Sequence, residues 1–384
     1  MDVLLNPTFW LLATACIIAM RAPMPWPQTT RFGVLSLVVI GVAFDWRASL
    51  LMLAIGLAVW LGLHRIGETG AASSGGTSLC LLAVLFAPSG VFVLYKLVQT
   101  NGDASGLPYM LLATLSFSYV FLRIIEVIRV VSASRVRLLR PLALVGYLFP
   151  FHMLISGPLN VYAHHLKMDD EEWKPLTLVE AAKGVWLVVT GLFLKVVLAE
   201  GGRTFIWGTE AIAVESWTDA AMVHAYVLFD FGGYSVMAFG LGRLLGVPTP
   251  LNFRRPFLAG SVSEYWRRWH ISLGDWVRRN LFTPLQVRLV RRLGSQHAVT
   301  VGVLSLVVCF AGVGVWHRFN SRYLVWGIGI GALMALEKMA ASVWMRQSWS
   351  RQKSLQWAVR VVGVAYTFFV MTAGWMYVWE ESTQ

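Results

Sequence analysis

The chain has 384 residues, of which 57% are hydrophobic and 14% charged, with a formal charge of +12 and a mean hydropathy of +0.62. That composition excludes a soluble globular domain and leaves a polytopic membrane protein. The basic excess is concentrated: Arg243 to Arg292 holds ten arginines against Glu264 and Asp275, the pattern of a cytoplasmic membrane loop and not of a nucleic-acid-binding face.

The opening stretch, MDVLLNPTFWLLATACIIAM, has Asp2 in place of a basic flank and no small-residue cleavage site. It reads as a first membrane segment and not as a removed signal peptide. Candidate spans fall at roughly 6–21, 32–45, 47–63, 78–98, 109–131, 181–199, 219–245, 297–317, 321–342 and 356–379, each near the length an apolar helix needs to cross a bilayer. A shorter apolar stretch, 142–156, contains Pro150 and His152 and suits a re-entrant or broken helix as well as a crossing. The expectation is therefore an all-α fold: one integral membrane domain over 1–384, with about ten or eleven transmembrane or re-entrant helices around a central chamber.

Between the spans, RAPMPWPQ and GETGAASSGGTS are connectors, SASRVRLLRP is a basic loop with Arg135, Arg137 and Arg140, and KMDDEEWK is a solvated acidic loop. The basic MRQSWSRQK lies two spans after the arginine-rich segment, so both can be cytoplasmic in one orientation. Cys16, Cys80 and Cys309 are isolated and offer neither metal-ligand spacing nor a disulfide framework.

Four stretches carry candidate chemistry. FPFHMLISGPLN, Phe149 to Asn160, places Pro150, Gly157 and Pro158 in apolar sequence and predicts irregular backbone, tolerated where it is buried in protein or lines a chamber. FDFGGYSVMAFGLGRLLG, Phe229 to Gly246, sets Asp230, Tyr234 and Ser235 in a glycine-rich apolar run, where a buried carboxylate needs a partner. SVSEYWRRWHISLGDWVRRNLFTPL, Ser261 to Leu285, has capping-box spacing at Ser261 and Glu264 and predicts a helix starting there. Glu264 and Arg268, and Asp275 and Arg279, are each four apart and able to pair along that helix. Trp266, Trp269 and Trp276 among Arg267, Arg268, Arg278 and Arg279 make it amphipathic and suited to the membrane interface. An interfacial anchor explains the tryptophans and arginines but not His270.

The last stretch, GVWHRF, ends a long apolar run with His317. An imidazole at membrane depth is a functional candidate because desolvation favours its neutral, proton-accepting form. The competing reading is a helix-end histidine reaching the interface beside Arg318, and position alone does not choose.

Taken in order, MLISGPL, GLFLKVVLAE, FDFGGYSVMAFGLGRLLG, NFRRPFLAGSVSEYWRRWHISLGDWVRRNLFTPL and GVGVWHRFNSRYLVWGIGIG resemble the membrane-bound O-acyltransferase (MBOAT) family. Among its members they are similar to the bacterial branch of alginate O-acetylation and teichoic-acid D-alanyl transfer proteins. The resemblance covers about residues 147–337. It implies that His317 is the catalytic membrane histidine and His270 the second characteristic histidine. Asp230, Tyr234, Ser235, Trp266, Trp269, Arg267, Arg268, Trp316 and Asn320 lie in the matching motifs as substrate-channel or supporting residues. Arg318 stands where bacterial relatives usually have glycine, Val236 stands where alginate-type sequences have an acidic residue, and the chain is short for this branch.

The implied activity is transfer of a small acyl group, acetyl ahead of D-alanyl, from a thioester donor to an envelope polysaccharide hydroxyl or another acceptor, with His317 as general base. The donor, acetyl-CoA or an acyl carrier protein, is a substrate and no tightly bound cofactor or metal is expected. Partners are membrane lipids, the donor or carrier at the cytoplasmic face and an extracytoplasmic partner acyltransferase, with no nucleic acid. The expected location is the bacterial inner membrane. A transporter or channel with a buried histidine shares the broken helices, and a noncatalytic scaffold is the third reading.

Overall fold

A computed structural model describes residues 2–69, 88–98, 116–134, 136–171, 174–208, 212–344 and 352–379. The connector GETGAASSGGTS beyond Thr69, Cys80, Arg135, parts of the 78–98 and 109–131 spans, two residues of KMDDEEWK and most of MRQSWSRQK lie outside the described residues. Every regular element among the described residues is helical. Among the described residues five helical stretches are long and apolar enough to cross a membrane: Trp46–Arg65, Leu178–Trp207, Ser295–His317, Ser321–Trp344 and Lys353–Val378. Four apolar helices are shorter: Pro7–Arg21, Gln28–Ala43, Pro88–Val98 and Pro141–Met153. Exposed Leu304, Val308, Leu336, Val362 and Phe369 on the long helices suit contact with lipid, whose tails bury apolar side chains as water cannot.

The chain forms two compact units, Met1–Val189 with Met237–Pro250, and Thr190–Val236 with Leu251–Gln384. In the first, Asn6 caps the Pro7–Arg21 helix by accepting from the Thr8 N–H at 2.9 Å, and proline at its first position supplies a preset φ without losing an intrahelical bond. The Gln28–Ala43 and Pro141–Leu148 helices cross at Gly33 and Gly146, where a Cβ on Gly33 would lie 1.8 Å from the Leu142 carbonyl oxygen. Only glycine permits that approach.

The predicted irregular backbone after Leu148 is present, and most of it is buried. Arg123, 1% exposed on the Phe117–Ser134 helix, donates to the carbonyls of Leu148 and Pro158, each at 3.2 Å, and more weakly to Met153. Glu126, equally buried, accepts from the Tyr162 N–H at 3.1 Å. The ionisable pair supplies what the helix ladder cannot across this break, the requirement for non-helical backbone away from water.

In the second unit, Ala298–His317 and Ser321–Trp344 form a hairpin whose close contact rests on small residues. A Cβ on Gly314 would lie 2.1 Å from the Tyr323 carbonyl oxygen, and one on Gly327 would lie 2.3 Å from that of Phe310. The expected single helix from Ser261 is instead broken into Val262–Trp266, Ile271–Val277, a π-helical turn Arg278–Phe282, and Thr283–Leu293. The break occurs because His270 adopts a left-handed conformation, φ 45 and ψ 51, which no α-helix accommodates.

Candidate active site

The broken segment is held by bonds that sequence spacing anticipates only in part. Ser261 Oγ accepts from the Glu264 N–H at 3.0 Å. The Glu264 carboxylate accepts from Gly260 N–H at 2.7 Å and pairs with Arg268, so the reciprocal half of the capping box reaches one residue further back. Burial raises the Glu264 pKa, but the Gly260 and Arg268 interactions outweigh it and leave the carboxyl below its ordinary range. The second expected pair does not form: Asp275 bonds Arg278 at 2.9 Å, three residues along. The Val262 and Ser263 N–H groups donate to Glu337 at 2.7 and 2.9 Å, so a carboxylate on the neighbouring Ser321–Trp344 helix closes the start of this one.

Around the His270 corner the chain folds back on Asn252. The Ile271 N–H donates to the Asn252 carbonyl at 2.9 Å, and the Arg254 N–H to that of Arg268 at 2.9 Å. Asn252 Oδ1 accepts from Ser272 Oγ at 2.6 Å, while its Nδ2 donates to Ser235 Oγ at 3.2 Å. These contacts over-determine a backbone conformation that a residue with a Cβ seldom adopts. They bury the His270 ring, 3% exposed, edge-on to Phe231 with centroids 4.8 Å apart. Burial lowers the His270 pKa to about 3, and the proximity of His317 acts in the same direction. His270 is therefore neutral at physiological pH, and the two imidazoles lie within electrostatic reach of each other.

His317 is the last residue of the Ala298–His317 helix. Its side chain is exposed rather than enclosed by protein, because the helix stops there and the chain turns at Arg318. It lines a pocket of about 80 Å³ with Tyr265, Trp266, Trp269, Tyr323, Trp326 and Trp375 among its walls. The ring lies 4.9 Å from Trp316, 6.4 Å from Tyr323 and 6.1 Å from Trp326 between centroids. Trp269 stacks on Tyr265 at 5.4 Å, and Trp266 stands edge-on to Trp326 at 5.8 Å. Trp266 Nε1 is buried with no hydrogen-bond acceptor among the described residues.

The other sequence candidates are distributed differently. Asp230 forms an ion pair with Lys195, on the π-helical Phe193–Gly201 segment, so its carboxylate is committed there and not to His317. Tyr234 and Ser235 are buried on the Trp217–Leu245 helix. Asn320 Oδ1 accepts from the Tyr323 N–H at 2.9 Å and caps the Ser321–Trp344 helix, a structural use of the side chain. Arg267 is exposed, and Arg268 donates to the Arg255 carbonyl at 3.3 Å besides pairing with Glu264.

Sequence reasoning did not single out Lys195, His224, Tyr323, Trp326 or Glu337. His224 is fully buried, with Nε2 2.8 Å from the Tyr265 hydroxyl and Nδ1 3.3 Å from Thr372 Oγ1, and Tyr265 is a wall of the His317 pocket. Lys195 and His224 both interrupt apolar runs, a signal open to any reader of the sequence. The partners of Glu337 lie 75 and 74 residues away and carry no such mark.

These features define an all-helical membrane protein with a neutral buried histidine behind an aromatic pocket and a second, accessible histidine on its wall. The membrane-bound O-acyltransferase family model matches residues 91–380, and the chain belongs to that family. It is 27% identical over 351 residues to the probable alginate O-acetylase AlgI of Pseudomonas syringae pv. tomato, covering 86% of this chain and 64% of the relative. It is 27% identical over 230 residues to the peptidoglycan O-acetyltransferase of Helicobacter pylori, 57% of this chain and 42% of the relative. It is 24% identical over 234 residues to the teichoic acid D-alanyltransferase of Bacillus subtilis, 59% of each chain. The chain thus spans less than two thirds of the length of these relatives.

Proposed function

We propose that this chain is a membrane O-acyltransferase that moves a small acyl group, acetyl first, from a thioester to a hydroxyl of an envelope polymer, with His317 as general base. The observation that carries the reading is the pocket joining His317 to an aromatic wall that includes a buried indole N–H without a protein acceptor. In the reaction, the His317 ring takes the acceptor hydroxyl proton as that oxygen bonds the thioester carbonyl carbon. The C–S bond then breaks, and the departing sulfur takes the proton back as a thiol. The Trp266 N–H donates to the carbonyl oxygen as negative charge develops on it. His270, held neutral, orients the acceptor or His317.

The donor is acetyl-CoA or an acyl carrier protein arriving from the cytoplasm. An extracytoplasmic acyltransferase is a partner, and the protein sits in a bacterial inner membrane with ten or eleven crossing or re-entrant helices around its chamber. D-Alanyl transfer is the second reading, favoured by the likeness to the Bacillus subtilis protein.

The test is mass spectrometry of base-labile esters in the envelope of cells expressing the wild type or His317→Ala at equal membrane abundance. An ester that disappears with the histidine supports the reading, and its mass separates acetyl from D-alanyl. An unchanged ester pattern overturns it.

A further inference from the structure

A further cavity lies in the first unit. It measures about 700 Å³ and is walled by the Pro23–Gln28 turn, by Arg137–Arg140, and by Arg31, Asp169 and Glu171. Arg31, in the first turn of the Gln28–Ala43 helix, is 5% exposed. Its Nη1 donates to the carbonyls of Ala19 and Ala22 at 3.2 and 2.8 Å, the open end of the Pro7–Arg21 helix. Its Nε–H is buried and meets no acceptor among the described residues. Among the described residues no carboxylate pairs with it. Two carbonyl dipoles do not neutralise a buried guanidinium, and such a charge is normally matched by an anion.

The acidic residues at the cavity do not supply that anion. Both Asp169 oxygens are taken by Thr29, through its N–H at 2.9 Å and its hydroxyl at 2.7 Å, and Asp170 is taken by Arg137 at 2.9 Å. Glu171 is exposed at the rim. Arg140, also exposed, precedes the first residue of the Pro141–Leu148 helix, a second positive element at the wall. The rim carries exposed Trp26, a residue type that settles at a membrane interface. Arg21, at the end of the helix leading to this turn, donates to the carbonyls of Leu244 and Arg243 at 2.8 and 2.6 Å. The cavity therefore opens at the end of the unit where the arginine-rich segment begins, the cytoplasmic side by its charge.

We infer that this cavity binds a phosphate ester, with one phosphate oxygen accepting from Arg31 Nε–H and another from the Arg140 guanidinium. Arginine recognises phosphate through paired charge-assisted bonds, and basic cytoplasmic pockets among membrane helices take anionic headgroups. The same chemistry is carried by an anionic phospholipid and by a soluble phosphate-bearing thioester donor. The lipid source is independent of the acyl-transfer reading, whereas the donor source rests on it.

The test uses the full chain in phosphatidylcholine nanodiscs, titrated separately with phosphatidylglycerol and with coenzyme A, and read by native mass spectrometry and thermal shift. Binding of phosphatidylglycerol alone assigns the lipid, and binding of coenzyme A alone assigns the soluble ester. With either probe, Arg31→Gln and Arg140→Gln should each weaken apparent affinity about tenfold or more, while His317→Ala leaves it unchanged and so separates this site from the acyl-transfer reading. Arg140→Gln is at an exposed position and decides the matter should Arg31→Gln fail to fold. No binding of either probe, or full affinity in Arg140→Gln, overturns the inference.

Discussion

Each unit contains a helix interruption in apolar surroundings, and these two interruptions are handled in opposite ways. At Leu148–Asn160 the freed carbonyls of Leu148 and Pro158 are gathered by one buried arginine, and most of the segment is buried. At His270 the backbone is held in a left-handed corner by Asn252 and neighbouring main chain, and the wall beyond it opens into a pocket with His317. The same breach of helical hydrogen bonding serves architecture in one place and a reactive surface in the other. The difference lies in what faces the break: a buried guanidinium that donates to its carbonyls, or a set of aromatic rings with the exposed imidazole of His317 beside them.

The contrast breaks most sharply through His317. His317→Ala should lower acyl transfer about 10³-fold, within the range for loss of a general base, with an unchanged thermal midpoint in detergent. Ester release measured beside the melting curve checks both halves. A variant with normal activity would remove His317 from the chemistry. The counterpart in the first unit is Arg123→Met, which keeps bulk but leaves buried carbonyls without their donor. Its expected effect is a loss of about 3–5 kcal/mol in stability, read as a large drop in unfolding temperature or in membrane abundance. A fully stable variant would show that water or lipid satisfies those carbonyls instead.

Much of this contrast is legible in the sequence, because hydropathy, Pro/Gly punctuation and capping residues act locally. The helix start at Ser261, the Glu264–Arg268 pair and the irregular backbone at Pro150–Pro158 all follow from residues close in sequence. The break at His270 does not, since the left-handed corner is imposed by Asn252, 18 positions earlier, through a carbonyl that any residue could offer. The spacing of Asp275 and Arg279 allows a pair, yet Arg278 takes the carboxylate where the helix widens into a π turn. Asp230 needed a partner by physical rule, but that Lys195 provides it depends on tertiary placement. Nothing local marks Glu337 as the acceptor for a helix start some 75 residues away.

The buried His270 sharpens the comparison through pH. Its folded pKa, about 3, lies below the unfolded value of about 6.5, so only the unfolded chain binds a proton between these limits. The contribution of the neutral ring is fully present above pH 6.5 and declines as pH falls, by about 1.4 kcal/mol per unit. Wild type should therefore lose stability faster than His270→Gln between pH 6.5 and 4.5, with a difference of one proton in the slope. Parallel curves would mean that the ring is already protonated, or that it is not desolvated in the membrane.

The smallest expected effect concerns Trp266, and it tests whether the pocket is built for a reacting oxygen or merely packed. The indole stands edge-on to Phe310 at 5.3 Å and to Trp326 at 5.8 Å, contacts that a phenyl ring retains in large part. Its Nε1–H has no acceptor among the described residues, so Trp266→Phe removes a donor that makes no bond there. Stability should hold within about 0.5 kcal/mol, the scatter of a change that breaks no named interaction. If the N–H meets the thioester oxygen as charge develops there, kcat falls about tenfold with little change in KM, the mark of an interaction made only in the transition state. A rise in KM alone would move the contact to ground-state binding. Unchanged kinetics would leave the tryptophan as wall and make the difference between the two breaks rest on His317 alone.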